Sequence, residues 1–316
     1  MEKALLRNSR WFSGVSIIIL AKNAGTLFKE VLAGLFACAG IDEAEIILID
    51  SGSEDLTLDY AARYPQIRVH QIPLGDFGHG RTRNLGAKQA KGDILVYLVQ
   101  DATPATADFL TRLVAPLADP RVAAAYGRQL PRASTNPIEK FFLQTTYPNL
   151  PQMRHLHSSG EGTLRSIFFS NVCSAIRRCV WEQVPFDENL IMSEDQQWAK
   201  DILRKGYAIA YEPAAVVFHS HNYGLRIIFQ RNFDSGYSLT GVVTDSFLQM
   251  FHYELNHILA GINQLVHGGN ARWIPYFFCH EAVRSSGFFL GKNSHLLPRS
   301  AKYYLSLHKF YWKWHY

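Results

Sequence analysis

Ile46-Ile47-Leu48-Ile49-Asp50-Ser51-Gly52-Ser53 and Ile94-Leu95-Val96-Tyr97-Leu98-Val99-Gln100-Asp101 share one construction, an unbroken apolar run that closes on a carboxylate. Continuous apolar runs rich in Ile and Val read as strands buried on both faces, as in a parallel sheet. Open sheets of that kind bind ligands beyond the carboxyl ends of their strands. Asp50 and Asp101 therefore stand where chemistry is expected. Working outward, further strands are predicted over 15–20, 67–72 and 122–126. Helices are predicted over 25–39, over 54–64 with Ser53 as N-cap, over 80–90 and over 105–118. Strand and helix alternate with short loops, which predicts an α/β fold with a mostly parallel sheet flanked by helices.

Beyond 126 the pattern is less regular. Residues 131–162 read as loop, either a mobile lid or a surface insertion. Strands are expected over 168–176, 208–211 and 214–218, and a helix over 195–205 ended by Gly206. From Leu225 the periodicity is mainly helical and aromatic-rich. We place the domain boundary there, with an α/β domain at 1–225 and a helical region at 226–316. In the tail, Tyr304, Leu307, Tyr311 and Trp314 fall on one helical face among Lys302, Lys309, Lys313 and His315. Such a stretch lies at a membrane interface or docks on its own domain.

The chain has 316 residues, 47% hydrophobic and 19% charged, which suits a globular protein with a full core. Its net charge of +5 fits an anionic ligand or an anionic membrane surface. No long Lys/Arg run speaks for nucleic acid. Cys38, Cys173, Cys179 and Cys279 form no C-x-x-C pair and sit beside apolar residues, so buried free thiols in a reducing cytosol are expected. Met1–Arg10 is polar and lacks the apolar stretch of a signal peptide. No run reaches the roughly 18 apolar residues that span a bilayer, so a soluble or peripheral protein is expected.

Four motifs carry chemistry. Asp50 can accept hydrogen bonds from a nucleobase or ribose, with Gly52 letting the backbone turn, or it can belong to an ordinary strand-to-helix turn. Phe77-Gly78-His79-Gly80-Arg81-Thr82-Arg83-Asn84 opens a helix, and two glycines, two arginines and a helix N-terminus suit a diphosphate. It is neither a P-loop nor a dinucleotide fingerprint. Asp101 with His219 or His221 can hold a divalent cation, Mg²⁺ favouring oxygen ligands and Mn²⁺ accepting imidazole. Ser193-Glu194-Asp195 starts a helix, where Asp195 acts as a general base or, with Ser193 as cap, serves only the helix dipole.

Together these segments resemble the inverting family 2 glycosyltransferases of the GT-A fold. The resemblance runs through Ser16–Asn23, Ile49–Ser53, Arg83–Gly86, Gln100–Ala102 and Ser193–Asp195, and covers about residues 14–225. The stretches Phe77–Asn84, Phe169–Arg177 and Phe218–Tyr223 further resemble bacterial rhamnosyltransferases. The resemblance implies that Lys22, Asn23, Asp50 and Gln100 help hold the donor nucleotide and that Arg81 and Arg83 contact its phosphates or sugar. It implies that Asp101 binds Mg²⁺ or Mn²⁺ with His219 or His221, and that Asp195 is the base. Val99 stands where the family's metal motif has its first Asp. The implied donor is dTDP-β-L-rhamnose, with a UDP- or GDP-sugar as alternative. The implied acceptor is a surface glycan such as O-antigen on a polyprenyl-diphosphate carrier, at the cytoplasmic face of the membrane. Two rivals are a nucleotidyltransferase and a non-catalytic glycan-binding scaffold. Against the first, the loop after the first strand has one Gly and no Arg. Against the second, a scaffold needs no base.

Overall fold

A computed structural model describes residues 14–156, 163–243 and 247–314. Nine strands form one sheet in the order β3-β2-β1-β4-β8-β6-β9-β5, with β7 beside β9. They are β1 Val15–Ala21, β2 Glu45–Asp50, β3 Ile67–Gln71, β4 Ile94–Val99, β5 Thr103–Pro104, β6 Val122–Leu130, β7 Gln152–Arg154, β8 Cys173–Arg177 and β9 Ala208–Phe218. Pairing is parallel among β1–β4 and between β6 and β9, whereas β8 runs antiparallel to both β4 and β6. Two reversals restore direction, so β6 and β9 point the same way as β1–β4. The carboxyl ends of six strands thus open on one edge, at Lys22, Ser51, Ile72, Gln100, Pro131 and His219.

The mostly parallel α/β sheet expected from the sequence is present. The apolar runs alternate their side chains between two cores. Ile17, Ile19, Leu48 and Val96 pack on α1 Leu27–Phe36 and α4 Phe109–Val114. Ile18, Ile47, Ile49 and Tyr97 face α3 His79–Gln89 and α7 Glu194–Arg204. Gly86 lets α3 approach β1, since a Cβ there would run into Ile18.

Several local expectations are corrected. The stretch after Pro131 is not all loop, because α5 Pro137–Thr146 and β7 lie within it, and 157–162 fall outside the described residues. Asn136 caps α5 by accepting the Glu139 N–H at 2.9 Å, with Pro137 following it. The two short strands near 208 and 214 are one strand, β9, whose register with β6 shifts between Gly127 and Arg128. Ser53 caps no helix: the next one, α2 Thr57–Ala61, starts later, and Asp55 accepts its first N–H at 3.0 Å. Cys38 and Cys173 are buried free thiols as expected, but Cys179 and Cys279 are exposed.

After α6 Arg178–Gln183, α7 and β9 come the helices α8 Leu225–Ser238, α9 Phe247–His267 and α10 Ile274–Lys292. α8 and α10 touch backbone to backbone. A Cβ on Gly287 or Gly291 would run into the carbonyls of Phe229 and Phe233. The tail is not one amphipathic helix. It breaks into α11 Arg299–Leu305 and α12 Tyr311–Trp314, and Trp312 is buried beside Ile191 and Phe233. His315 and the Trp314 side chain lie outside the described part.

Candidate active site

Two carboxylates that end parallel strands face different surroundings. Asp50 is fully buried, and Oδ2 accepts the N–H groups of Gly52 and Ser53 at 3.1 and 3.0 Å while Oδ1 takes the Ser53 hydroxyl. It holds its own loop, in which Gly52 has φ +82°. Asn23, at φ +47°, ties that loop to β1 by accepting the Glu54 N–H at 2.8 Å and donating its own N–H to Ser53 Oγ at 2.9 Å. The Lys22 N–H donates to Gln100 Oε1 at 2.6 Å. The structure therefore joins Lys22, Asn23, Asp50 and Gln100 into one floor at the sheet edge.

Asp101 instead faces two imidazoles. Its Oδ1 is 3.5 Å from His219 Nε2, its Oδ2 is 3.4 Å from His221 Nε2, and the two Nε2 atoms are 3.0 Å apart. Burial pushes the Asp101 carboxyl up, but the His219 hydrogen bond and the charges of both histidines outweigh it, and its pKa is lowered. Burial and the neighbouring His219 pull His221 down to about 4. The ring orientations are fixed from behind. Gln129, 3% exposed, accepts from His219 Nδ1 at 2.8 Å while its amide donates to the Tyr147 and Ser170 hydroxyls. In the neutral ring that leaves the lone pair of His219 Nε2 facing Asp101, and in the protonated ring it leaves an N–H that donates there. The Glu139 carboxylate lies beside the His221 backbone, and Tyr223 stacks on the His221 ring at 4.6 Å. Arg132 donates to the carbonyls of Asp101 and Phe218 at 2.8 and 3.0 Å and so clamps the ends of β4 and β9 together.

These ligand atoms lie within 4.8 Å of one another. Neighbouring donors on an octahedral ion stand about 3 Å apart, given bonds of about 2.1 Å. The Asp-His-His set, with its lone pairs convergent, fits a divalent cation.

The second charged centre starts at Ser193, which has φ +62° and makes no capping hydrogen bond, contrary to a plain N-cap. A non-glycine residue in that region is strained, and such strain collects at functional sites. The turn sends Glu194 inward to Arg83, 2.5 Å away with both side chains under a tenth exposed. It also places Asp195 where the Asn171 and Gln196 N–H groups reach it at 3.2 and 2.9 Å. Burial and the adjacent Glu194 raise the Asp195 pKa to about 7, against the opposing pull of Arg83 and the two N–H bonds. Beside it, Asn171 Nδ2 and Gln196 Oε1 are buried without a partner among the described residues, one donor and one acceptor. Asn84 braces the approach by accepting from Trp181 Nε1 and the Phe186 N–H and donating to the Phe186 carbonyl.

The two expected phosphate arginines differ. Arg83 is engaged by Glu194 and the His79 carbonyl. Arg81 is exposed, 3.9 Å from Glu188. Sequence reasoning missed Gln129, Arg132, Glu139, Tyr223 and Asn171. Only Asn136-Pro137-Ile138-Glu139, a cap, a proline and an acid at helical N-terminal spacing, offered a signal, because it marks the helix that carries Glu139.

The chain is 34% identical over 302 residues to the O-antigen chain rhamnosyltransferase RfbN of Salmonella typhimurium, covering 94% of this chain and 96% of that one. It is 31% identical over 301 residues to the O-antigen chain rhamnosyltransferase WbaN of Salmonella anatum, covering 94% and 95%. Among solved structures, the mannosyltransferase PcManGT of Pyrobaculum calidifontis, in complex with GDP-Man and Mn²⁺, shares the fold at TM-score 0.58 and 18% identity, covering 98% of this chain and 90% of that one. The model of glycosyl transferase family 2 matches residues 16–183. With a family model over more than half its length and near-full-length relatives, the chain belongs to glycosyl transferase family 2 and is a glycosyltransferase.

Proposed function

We propose that this glycosyltransferase moves L-rhamnose from dTDP-β-L-rhamnose onto a hydroxyl of a growing surface glycan, with inversion at the anomeric carbon. The near-full-length likeness to two O-antigen chain rhamnosyltransferases carries this reading. The site supports it chemically. Lys22, Asn23, Asp50 and Gln100 floor the nucleotide end at the sheet edge. Asp101, His219 and His221 hold a divalent cation, with two imidazoles favouring Mn²⁺ over Mg²⁺. When bound, that cation supplies Lewis-acid stabilisation of a departing nucleoside diphosphate.

Asp195 is the base. With its pKa raised to about 7 it is poised near neutrality, where a base is both ionised and able to take a proton. Asn171 Nδ2 and Gln196 Oε1 orient acceptor hydroxyls beside it. The acceptor oxygen attacks the anomeric carbon from the face opposite the diphosphate, the carbon–oxygen bond to the diphosphate breaks, and the proton passes to Asp195. One displacement gives an α linkage from a β donor. The test is calorimetric binding of dTDP-rhamnose, UDP-sugars and GDP-sugars with Mn²⁺, followed by transfer assays. Selective binding of dTDP-rhamnose is expected, and selective binding of another sugar nucleotide would discard rhamnose as the cargo.

A polyprenyl-linked acceptor places the enzyme at a membrane surface. Among the described residues no helix is long and apolar enough to cross a membrane. Residues 247–316 contain seven Lys and Arg against two Asp and Glu, which accounts for the whole net charge of +5. Phe289, Leu296 and Tyr304, each more than 60% exposed, lie among those cations. Basic and aromatic side chains together suit an anionic lipid surface. Sedimentation with phosphatidylglycerol vesicles, and none with phosphatidylcholine vesicles, is the expected result.

A further inference from the structure

The structure leaves a charge problem at the donor site. A nucleoside diphosphate brings negative charge to the sheet edge, and more gathers on its terminal phosphate as the glycosidic bond breaks. Of the arginines nearby, Arg83 is committed to Glu194 and Arg132 to the strand ends and Glu30. Arg81 stands in solvent beside Glu188.

Arg231 differs from all three. Among the described residues its guanidinium has no hydrogen bond or ion pair; it lies over the Tyr223 ring, 5.0 Å from its centroid, and its charge is felt at the Glu139 carboxylate. Tyr223 in turn stacks on His221, so Arg231 lies one aromatic ring from the Asp101-His219-His221 cluster. Its charge is also felt at His79. Burial chiefly, then His308, Arg83 and Arg231, hold His79 well below the ordinary histidine range. His79 is the first residue of α3, whose N-cap Gly78 offers no side-chain cap. An anion bound there is stabilised by free N–H groups.

The position of Arg231 is rigid. α8 is locked to α10 by the glycine contacts. One turn on, Asp234 anchors the tail by accepting the N–H groups of Leu307 and His308 and His308 Nδ1. His308 Nε2 then meets His79 Nε2 at 3.3 Å. α8 thus carries a cation that no described residue pairs, on a frame tied to the cation-competent cluster through Tyr223 and to the α3 N-terminus through Asp234 and His308.

We propose that Arg231 is a catalytic residue that binds the diphosphate of the sugar-nucleotide donor and stabilises the charge on the departing phosphate oxygen. The bond that breaks is the one from anomeric carbon to that oxygen. Its electron pair stays on the oxygen facing Arg231, while the acceptor's proton goes to Asp195. The assignment rests on the glycosyltransferase donor reading above.

The experiment compares wild type, Arg231→Met and Arg231→Lys in calorimetric binding of dTDP, UDP, GDP and dTMP with Mn²⁺, and in steady-state transfer. For the nucleoside diphosphate that wild type binds best, Arg231→Met is expected to weaken affinity roughly ten- to a hundredfold, as loss of a charge-assisted hydrogen bond does. Binding of dTMP, which lacks the second phosphate, should change less than threefold. Turnover should fall by about 10² or more, with partial recovery in Arg231→Lys. Equal losses for dTDP and dTMP, or unchanged diphosphate affinity with turnover lost, would overturn the assignment. Failure of wild type to bind any nucleoside diphosphate would instead bring down the donor reading, and the assignment with it. Arg231→Lys keeps the charge and the packing over Tyr223, so a variant that merely unfolds is distinguished.

Discussion

Asp101 and Asp195 stand at the same edge of the sheet, and their surroundings push them in opposite directions. Asp101 sits among imidazoles that hold its carboxyl ionised, with its pKa lowered. Asp195 is half-buried, and its desolvation, reinforced by the adjacent Glu194, raises it to about 7. Two carboxylates whose environments separate their pKa values divide the labour of an active site. In the proposed mechanism one collects positive charge and the other takes the proton. Asp50, the third carboxylate, spends its oxygens on its own loop.

The sharpest way to break the contrast is Asp195→Asn. The amide cannot take a proton yet nearly keeps the shape, so kcat should fall by about 10³ with donor affinity within a factor of three, as steady-state and calorimetric measurements would show. Near-normal turnover would remove Asp195 from the base role. Asp101→Ala should act the other way round. Donor affinity and its dependence on Mn²⁺ are lost together, by roughly 10- to 100-fold, and chelator should have little further effect on the variant. Identical titrations with and without Mn²⁺ in wild type would remove the cation from the Asp101 cluster.

These contrasts were only half legible beforehand. The apolar runs ending at Asp50 and Asp101 predicted the strands and their direction, because burial on both faces leaves a one-dimensional signature. The Ser193-Glu194-Asp195 turn was legible as a helix start but not as a strained one, since it brings Glu194 to Arg83, a partner more than a hundred residues away. The same limit hid Gln129 and Arg231. A Gln near the end of a strand, or an Arg within an aromatic-rich helix, takes its meaning from neighbours that only the folded chain supplies. The tail misled because its spacing fits one helix, whereas Asp234 captures the Leu307 and His308 N–H groups and stops that helix at Leu305.

A pH profile sharpens the pair further. The proton acceptor must be ionised, so kcat/KM should drop about tenfold per unit below pH 7 and level off above it. A flat profile down to pH 5 would place the ionisation of Asp195 back in the ordinary carboxylate range. Gln129→Leu tests the orientation of His219 by a smaller margin. Losing the acceptor for Nδ1 frees the ring and its tautomer, and Mn²⁺ affinity should fall about tenfold. A variant that binds Mn²⁺ as wild type does would mean that the ring is held by packing alone.

The smallest effect tests the contrast in stability alone, with metal removed. A carboxylate raised in the folded state binds its proton more tightly there than in the unfolded chain, where its pKa is about 3.9. Between that value and about 7, rising pH strips the proton preferentially from the unfolded chain and stability falls. Asp195→Asn escapes this cost, so at pH 8 it should be more stable than wild type, and at pH 4 the difference should vanish. Asp101 has the opposite sign. Its lowered pKa contributes stability above its unfolded value, lost as pH falls through the folded one, so Asp101→Asn should melt below wild type at pH 8. Thermal melts of both variants across that range give two slopes of opposite sign if the two environments act as described. Parallel slopes would mean that a shared field at the sheet edge, and not the local partners of each carboxylate, sets their ionisation.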